Sequence, residues 1–389
     1  MLRDAGMAAG HEIRDVFDGL GDRAWLNCAH QGPLPRPAAE AVRNALDEKR
    51  SPWRIADEAF VEVPRRLREA LGRLVGAPAE EVILGNSTSY GLNLLAQGLP
   101  LEAGDELLLV EGDFPATVYP WLPLRDRGVH VRLVRPPHGE LTADTLAAEL
   151  TGATRAVCSS WVFSFSGRAI DLAAVGQLCR DRGIWFLVNG SQAVGARPLD
   201  LASLPVDALV SCGFKWLCGP YATGFAWIRP ELRESLTYRQ AYWLTHQLAA
   251  GGAARTADYQ LHEVGAAAYD VFCTAGFLTF PAWTAAVELL LETGIEAVAT
   301  HDQALVQRLV DGLDEDAYEL LSPRERPARS TLVFVSHRER DRNPGILDAL
   351  ARAGVHAAVR EGNLRFSPHL YNTADDIDRA VDVLDACAR

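Results

Sequence analysis

The chain has 389 residues, 48% apolar and 23% charged, without a low-complexity tract, so disordered and fibrous classes are excluded and one large domain plus a smaller one fits the length. A formal net charge of −13 argues against nucleic acid or an anionic membrane as partner, and no apolar run approaches the ~20 residues of a membrane span. The N-terminal residues lack the apolar stretch of a signal peptide. Seven cysteines are scattered without metal-ligand spacing, so we expect reduced thiols, no metal and a cytoplasmic location.

Residues 1–20 read as a mobile arm or a packing extension, within an N-terminal arm expected over 1–45 that packs on the smaller domain. From about residue 66 to 230, short apolar runs alternate with amphipathic stretches. The runs at 81–85, 105–110, 129–134, 156–163, 184–189, 208–213 and 224–228 predict seven strands, with helix patterns between several of them. One such helix, Leu172–Arg182, stops at Gly183. Near-continuous apolar strands separated by helices predict a mostly parallel sheet covered on both faces, an α/β large domain over 46–280. After Pro281 the texture changes. One long helix pattern over 282–313 precedes strand-like runs at 318–322, 331–337, 355–361 and 363–368 and a final helix from Ala374, which predicts a smaller α+β domain over 281–389.

Of 38 basic residues only two are lysine, Lys49 and Lys215. In so arginine-rich a chain a retained lysine invites a chemical reason, because a guanidinium stays protonated and an amine does not. Lys49 closes a charged helix end and reads as a solvated cation. Lys215 lies between two apolar strand runs among small and aromatic residues, where poor hydration lowers an amine's pKa and frees it for nucleophilic attack; a snorkelling core-edge lysine fits the same position.

In an open α/β sheet ligands gather at the carboxyl ends of the strands, and three further segments meet Lys215 there. Ser87 and Thr88 in LGNSTSYGLN would cradle a phosphate with the following helix start, although both are also ordinary N-caps. Asn189 and Gln192 in VNGSQAVGA would face a ligand, although Asn-Gly also reads as a turn. Arg365 in GNLRFSPHLYNT would clamp a carboxylate by two parallel hydrogen bonds, or serve as a surface ion-pair partner.

The ordered motifs LNCAHQGPLP, GNSTSYGLN, EGDFPATVYPW, SGRAIDL, NGSQAVGA, SCGFKWLCGP and LRFSPHLYNT resemble the class V aminotransferase-type branch of fold-type I pyridoxal phosphate enzymes, over about residues 25–385. That branch includes cysteine desulfurases, isopenicillin N epimerase-like proteins and C–S lyases. The resemblance implies pyridoxal 5'-phosphate as cofactor, a small amino-acid substrate and a homodimer. It implies that Lys215 forms the covalent link to the cofactor, that Ser87 and Thr88 bind its phosphate, that Phe114 stacks on its ring and that Gln192 reaches its phenolic oxygen. Cys212 stands where a phosphate-contacting Ser or Thr is common, and Thr223 would reach the neighbouring subunit's phosphate. Arg365 would hold the substrate's α-carboxylate, with Asn27 and Gln31 bordering the substrate.

Two departures shape the expected reaction. Asn189 replaces the aspartate that keeps the ring nitrogen protonated; an amide either accepts from a protonated nitrogen or donates to an unprotonated one, and supports a charged ring far less. Reactions that expel a β-substituent promptly suffer least from a weaker electron sink. No cysteine occurs between Cys273 and Cys387, where a desulfurase carries its nucleophile. The expectation is therefore a C–S β-lyase acting on an S-substituted cysteine conjugate, in a natural-product setting. The alternatives are decarboxylation coupled to oxidative deamination, epimerisation, or a non-catalytic binding protein that kept the fold.

Overall fold

The apolar runs of the first 230 residues assemble into a seven-stranded sheet. The structure, a computed structural model, describes residues 13–249, 261–273 and 276–389. In chain order its strands begin with β1 (Ala24–Trp25), β2 (Val82–Gly85), β3 (Glu106–Val110), β4 (His130–Val134) and β5 (Thr154–Ser160). Then follow β6 (Trp185–Asn189), β7 (Ala208–Cys212) and β8 (Gly224–Ile228). The C-terminal part adds β9 (Tyr318–Leu320), β10 (Val333–His337), β11 (Val355–His356), β12 (Ala358–Arg360) and β13 (Asn363–Phe366).

The large sheet has the order β2-β8-β7-β6-β5-β3-β4. Only the two pairings made by β8 are antiparallel, so the other six strands point one way. Alternate residues feed different cores: Leu108 and Val110 join one apolar cluster, Leu107 and Leu109 the other. That is why the strands read as unbroken apolar runs. It also brings the carboxyl ends of β2, β3, β5, β6 and β7 to one edge, where Asn189 ends β6 and the turns containing Ser87, Phe114 and Lys215 emerge.

Beside this lies an antiparallel four-stranded sheet, β12-β13-β10-β9. The apolar pattern over 282–313 is not one helix: Gly294, at φ +86°, separates helix Phe280–Thr293 from helix Ile295–Asp311. A positive φ is easy for glycine and breaks the hydrogen-bond ladder at that point. The first helix sends Phe280, Trp283 and Val287 into the large sheet's core, whereas the second sends Leu305, Val306 and Leu309 into the small sheet's core. Ala24 and Leu26 also enter that second core, and β1 pairs in parallel with β11. Within the 1–20 stretch, Ile13 and Phe17 are packed, the Phe17 ring 5.1 Å from Tyr371, while residues 1–12 lie outside the described residues. Among the described residues no helix is long and apolar enough to cross a membrane.

His369, after β13, and Asp302, on the 295–311 helix, form a fully buried pair, with Nδ1 2.8 Å from Oδ2. Nε2 of the same ring lies 2.9 Å from the Trp216 carbonyl. Both nitrogens therefore face oxygens that only accept, which requires an imidazolium. Burial opposes that charge, but Asp302 outweighs it and the pKa rises to about 9. Because the folded value lies above the ordinary 6.5, the pair's stabilisation is complete below about pH 6.5 and disappears as pH rises through about 9. Asp302→Asn should cost about 3–5 kcal/mol at neutral pH, since it leaves a buried charge without its partner. Thermal midpoints from neutral pH to above pH 9 should fall more steeply for the wild type than for the variant; parallel curves would refute the ion pair.

Candidate active site

A cavity of about 420 Å³ opens at the carboxyl edge of the large sheet. Among the described residues its wall carries Lys215, Arg360 and Arg365 and no carboxylate, in a chain of net charge −13. Such a surplus of positive charge suits an anionic ligand.

Lys215 sits on the turn after β7, and three parts of the chain supply donors to that turn. Gly219 N–H donates to Gly213 O at 2.8 Å, Gly32 N–H to Phe214 O at 2.8 Å and Cys218 N–H to Lys215 O at 3.0 Å. The Cys28 thiol also donates to Lys215 O, at 3.6 Å, and His369 to Trp216 O. Gly32 is obligatory here, because a Cβ at that position would lie 2.2 Å from Lys215 O. The amine itself is 5.5 Å from the Phe114 ring centre and 6.0 Å from that of Phe214. Burial lowers its pKa, and the charge of Arg365 pushes the same way against the opposing influence of Cys212 and Cys28. Cys28, Cys218 and His369 also cluster, but both imidazole nitrogens are engaged and offer no lone pair to a metal.

Ser87 caps helix Thr88–Gly98, its Oγ accepting from Tyr90 N–H at 3.1 Å, so the helix's first amides point at the cavity. Gly224 at the start of β8 allows the close approach of this turn, since a Cβ there would meet Ser87 backbone at 2.6 Å. The Thr88 hydroxyl lies 2.6 Å from Ser191 Oγ. Gln192 is gripped at both ends of its amide, Nε2 donating to Ala29 O at 3.1 Å and Oε1 accepting from Trp216 Nε1 at 2.9 Å. Arg365, 4% exposed, donates through a terminal nitrogen to Asn27 Oδ1 at 3.1 Å, while its buried Nε has no partner. Burial, with the charge of Arg360, lowers its pKa to about 10.

The structure thus gathers Ser87, Thr88, Phe114, Asn189, Gln192, Cys212, Lys215 and Arg365 on one cavity. Three expected residues stand elsewhere. Asn27 and Gln31 are not on the wall but hold residues that are: Asn27 holds Arg365, and Gln31 accepts from the hydroxyl of Tyr221, whose ring stacks on Phe214 at 4.9 Å. Thr223 is fully buried with its hydroxyl donated to the Pro220 carbonyl, so within this chain it presents nothing to a neighbouring subunit's phosphate. Sequence reasoning missed His30, Arg360, Ser191 and Tyr221 on the wall. His30 lay within a quoted motif; Arg360 had no local mark among so many arginines.

These residues fit the expected cofactor. A helix N-terminus can take its phosphate, Lys215 its aldehyde carbon and Phe114 its ring face, and the unpartnered Arg365 Nε awaits an acceptor of the kind a substrate carboxylate supplies. Gly32→Ala should displace the Lys215 turn and lower cofactor retention severalfold, measured by absorbance after dialysis; full retention would mean that the turn does not depend on Gly32.

The sequence pattern of the aminotransferase class-V family matches residues 54–380. Isopenicillin N epimerase of Streptomyces clavuligerus is 29% identical, with 93% of this chain and 94% of that protein aligned. A probable cysteine desulfurase of Pseudomonas aeruginosa is 32% identical, over 93% of this chain and 92% of that one. Among solved structures, C-DES with glycine covalently linked to its pyridoxal phosphate cofactor superposes with a TM-score of 0.86 at 21% identity, covering 95% of this chain and 98% of that one. C-DES is also solved as a cystine C–S lyase with its product cysteine persulfide, at a TM-score of 0.85 and 21% identity, with the same coverage. The chain belongs to the aminotransferase class-V family, has the fold-type I architecture and is a pyridoxal phosphate-dependent enzyme.

Proposed function

We propose that the enzyme is a C–S β-lyase acting on an S-substituted cysteine. The observation that carries this reading is the make-up of the cavity wall among the described residues: one amine of lowered pKa, one arginine with an unpartnered Nε, an amide at position 189 and no carboxylate. The likeness to C-DES, a cystine C–S lyase, supports it.

Arg365 binds the α-carboxylate through its unpartnered Nε, while Asn27 steadies the other side of the guanidinium. That contact turns the Cα–H bond toward Lys215. Burial lowers the basicity of Lys215 and so favours its neutral form, in which Nζ accepts the Cα proton. Pyridoxal phosphate, when bound, supplies an electron sink that acidifies that proton. The electron pair released at Cα closes a Cα=Cβ double bond as the Cβ–S bond breaks, and sulfur leaves as a thiolate with its own pair. Electrons that depart with sulfur need little storage in the ring, which suits an amide at 189. No cysteine between Cys273 and Cys387 can take over the sulfur, which speaks against a desulfurase reaction.

Similarity to isopenicillin N epimerase favours a second reading, return of the proton to Cα. His30, on the cavity wall and held toward neutrality by burial and by Arg360, Arg365 and Lys215, would then carry it.

Incubation with a panel of S-substituted L-cysteines in heavy water separates these outcomes by mass spectrometry. Pyruvate, ammonia and a free thiol are expected; recovered amino acid of inverted configuration carrying deuterium would favour epimerisation, and an aldehyde formed with oxygen uptake would favour decarboxylating deamination. Lys215→Ala should abolish both turnover and the borohydride-reducible cofactor adduct, which Lys49→Ala retains. Arg365→Ala should weaken amino-acid binding by about 2–4 kcal/mol at unchanged cofactor content; an unchanged KM would remove Arg365 from the carboxylate site.

A further inference from the structure

Asn189 ends β6 on the cavity wall and is 4% exposed. Its amide oxygen accepts from the Ser191 backbone N–H at 3.0 Å and from the Ser191 hydroxyl at 2.6 Å. A backbone N–H can only donate, so the oxygen end of this amide is fixed at Ser191 and the nitrogen end points the other way.

At the nitrogen end, Nδ2 donates to Thr117 Oγ1 at 2.8 Å. Thr117 Oγ1 lies 3.3 Å from Ser160 Oγ, and Ser160 donates onward to Asp113 Oδ1 at 2.6 Å. Asp113 is buried behind the wall and also accepts from the backbone amides of Ser160, at 2.8 Å, and Phe114, at 2.6 Å. The chain thus has a group that only donates at one end, Ser191 N–H, and a carboxylate that accepts throughout at the other. Its protons run one way, from Asn189 through two hydroxyls to Asp113. Ser191's single hydroxyl proton goes to Asn189, so Thr88 must donate to Ser191, and the order holds on that side too.

An amide has two oxygen lone pairs and two N–H groups. Both lone pairs and one N–H of Asn189 are engaged, which leaves one N–H as its remaining valence toward the cavity. We propose that Asn189 donates a hydrogen bond to the cofactor's ring nitrogen, that this nitrogen carries no proton, and that Thr117, Ser160 and Asp113 are positioning residues that hold the amide in this sense. A protonated ring nitrogen would set two donors against each other in a buried site, leaving both unsatisfied. The inference rests on the cofactor placement of the proposed function, with Lys215 at its aldehyde carbon and its ring nitrogen at Asn189, and it decides between the two roles open to an amide.

The test is the nitrogen-15 resonance of holoenzyme reconstituted with pyridoxal phosphate labelled at the ring nitrogen. A parallel sample is reduced with borohydride and the Lys215 peptide weighed. The wild type should show the resonance of a free-base pyridine, and Asn189→Asp should move it to the pyridinium position, because a carboxylate there favours the charged ring. Thr117→Val removes one of the amide's three hydrogen bonds and should shift the resonance from the wild-type position, whereas Thr117→Ser should restore it. A wild-type resonance at the pyridinium position overturns the inference even with the Lys215 adduct intact. An Asn189→Asp resonance that does not move shows that the ring nitrogen lies elsewhere and also overturns it, and a Thr117→Val resonance identical to wild type removes the positioning chain. Loss of the adduct in the wild type would overturn the site reading itself.

Discussion

The buried pair of His369 and Asp302 reaches the Trp216 carbonyl, one residue beyond Lys215, and so ties the turn that bears the amine to the C-terminal sheet. Neighbouring carbonyls of that turn are held by Gly32 and Cys28 from the N-terminal motif. A buried carbonyl that loses its donor costs about 1–3 kcal/mol, so the turn has one defined shape only when all of these segments are docked. The amine is therefore positioned by contacts that are distant in sequence, and the large sheet alone would leave it loose. Close packing makes this strict: where Gly32 meets Lys215 O, there is no room for even one added carbon.

Much of this was legible in the chain because its signals were local. Strands covered on both faces announce themselves as apolar runs, and the turns at their carboxyl ends stood out by their small polar residues. Lysine rarity marked Lys215 against a background of arginine. The long helix was misread because the apolar spacing continues across Gly294, and only that residue's positive φ separates the two helices. Thr223 misled for a different reason: a hydroxyl in a motif does not reveal its acceptor, here the Pro220 carbonyl in the same turn.

Residues that act through register were silent. Arg360 and Arg365 occupy neighbouring antiparallel strands and come together only once β12 pairs with β13. Thr117, Ser160 and Asn189 belong to three separate segments that the strand order β6-β5-β3 places side by side. Asp113 has no local mark within EGDFPATVYPW; its burial and its three donors follow only from the packed fold. No periodicity encodes such a set, because each member is an unremarkable polar residue in its own stretch.

Asp113 also puts a carboxylate behind a wall that carries none among the described residues. Burial raises its pKa to about 6, against the pull of its hydrogen bonds, so near neutral pH it remains mostly ionised behind the wall. Its link to Asn189 runs through two hydroxyls, which pass on the direction of the hydrogen bonds but not a full counter-charge. Facing the cavity itself are Lys215, Arg360 and Arg365. A ligand that brings a phosphate and a carboxylate would neutralise those cations without competition from a carboxylate of the described wall residues. With Asp113 behind the wall, Asn189 presents an amide and no full negative charge to the cavity, as the proposed unprotonated ring nitrogen requires.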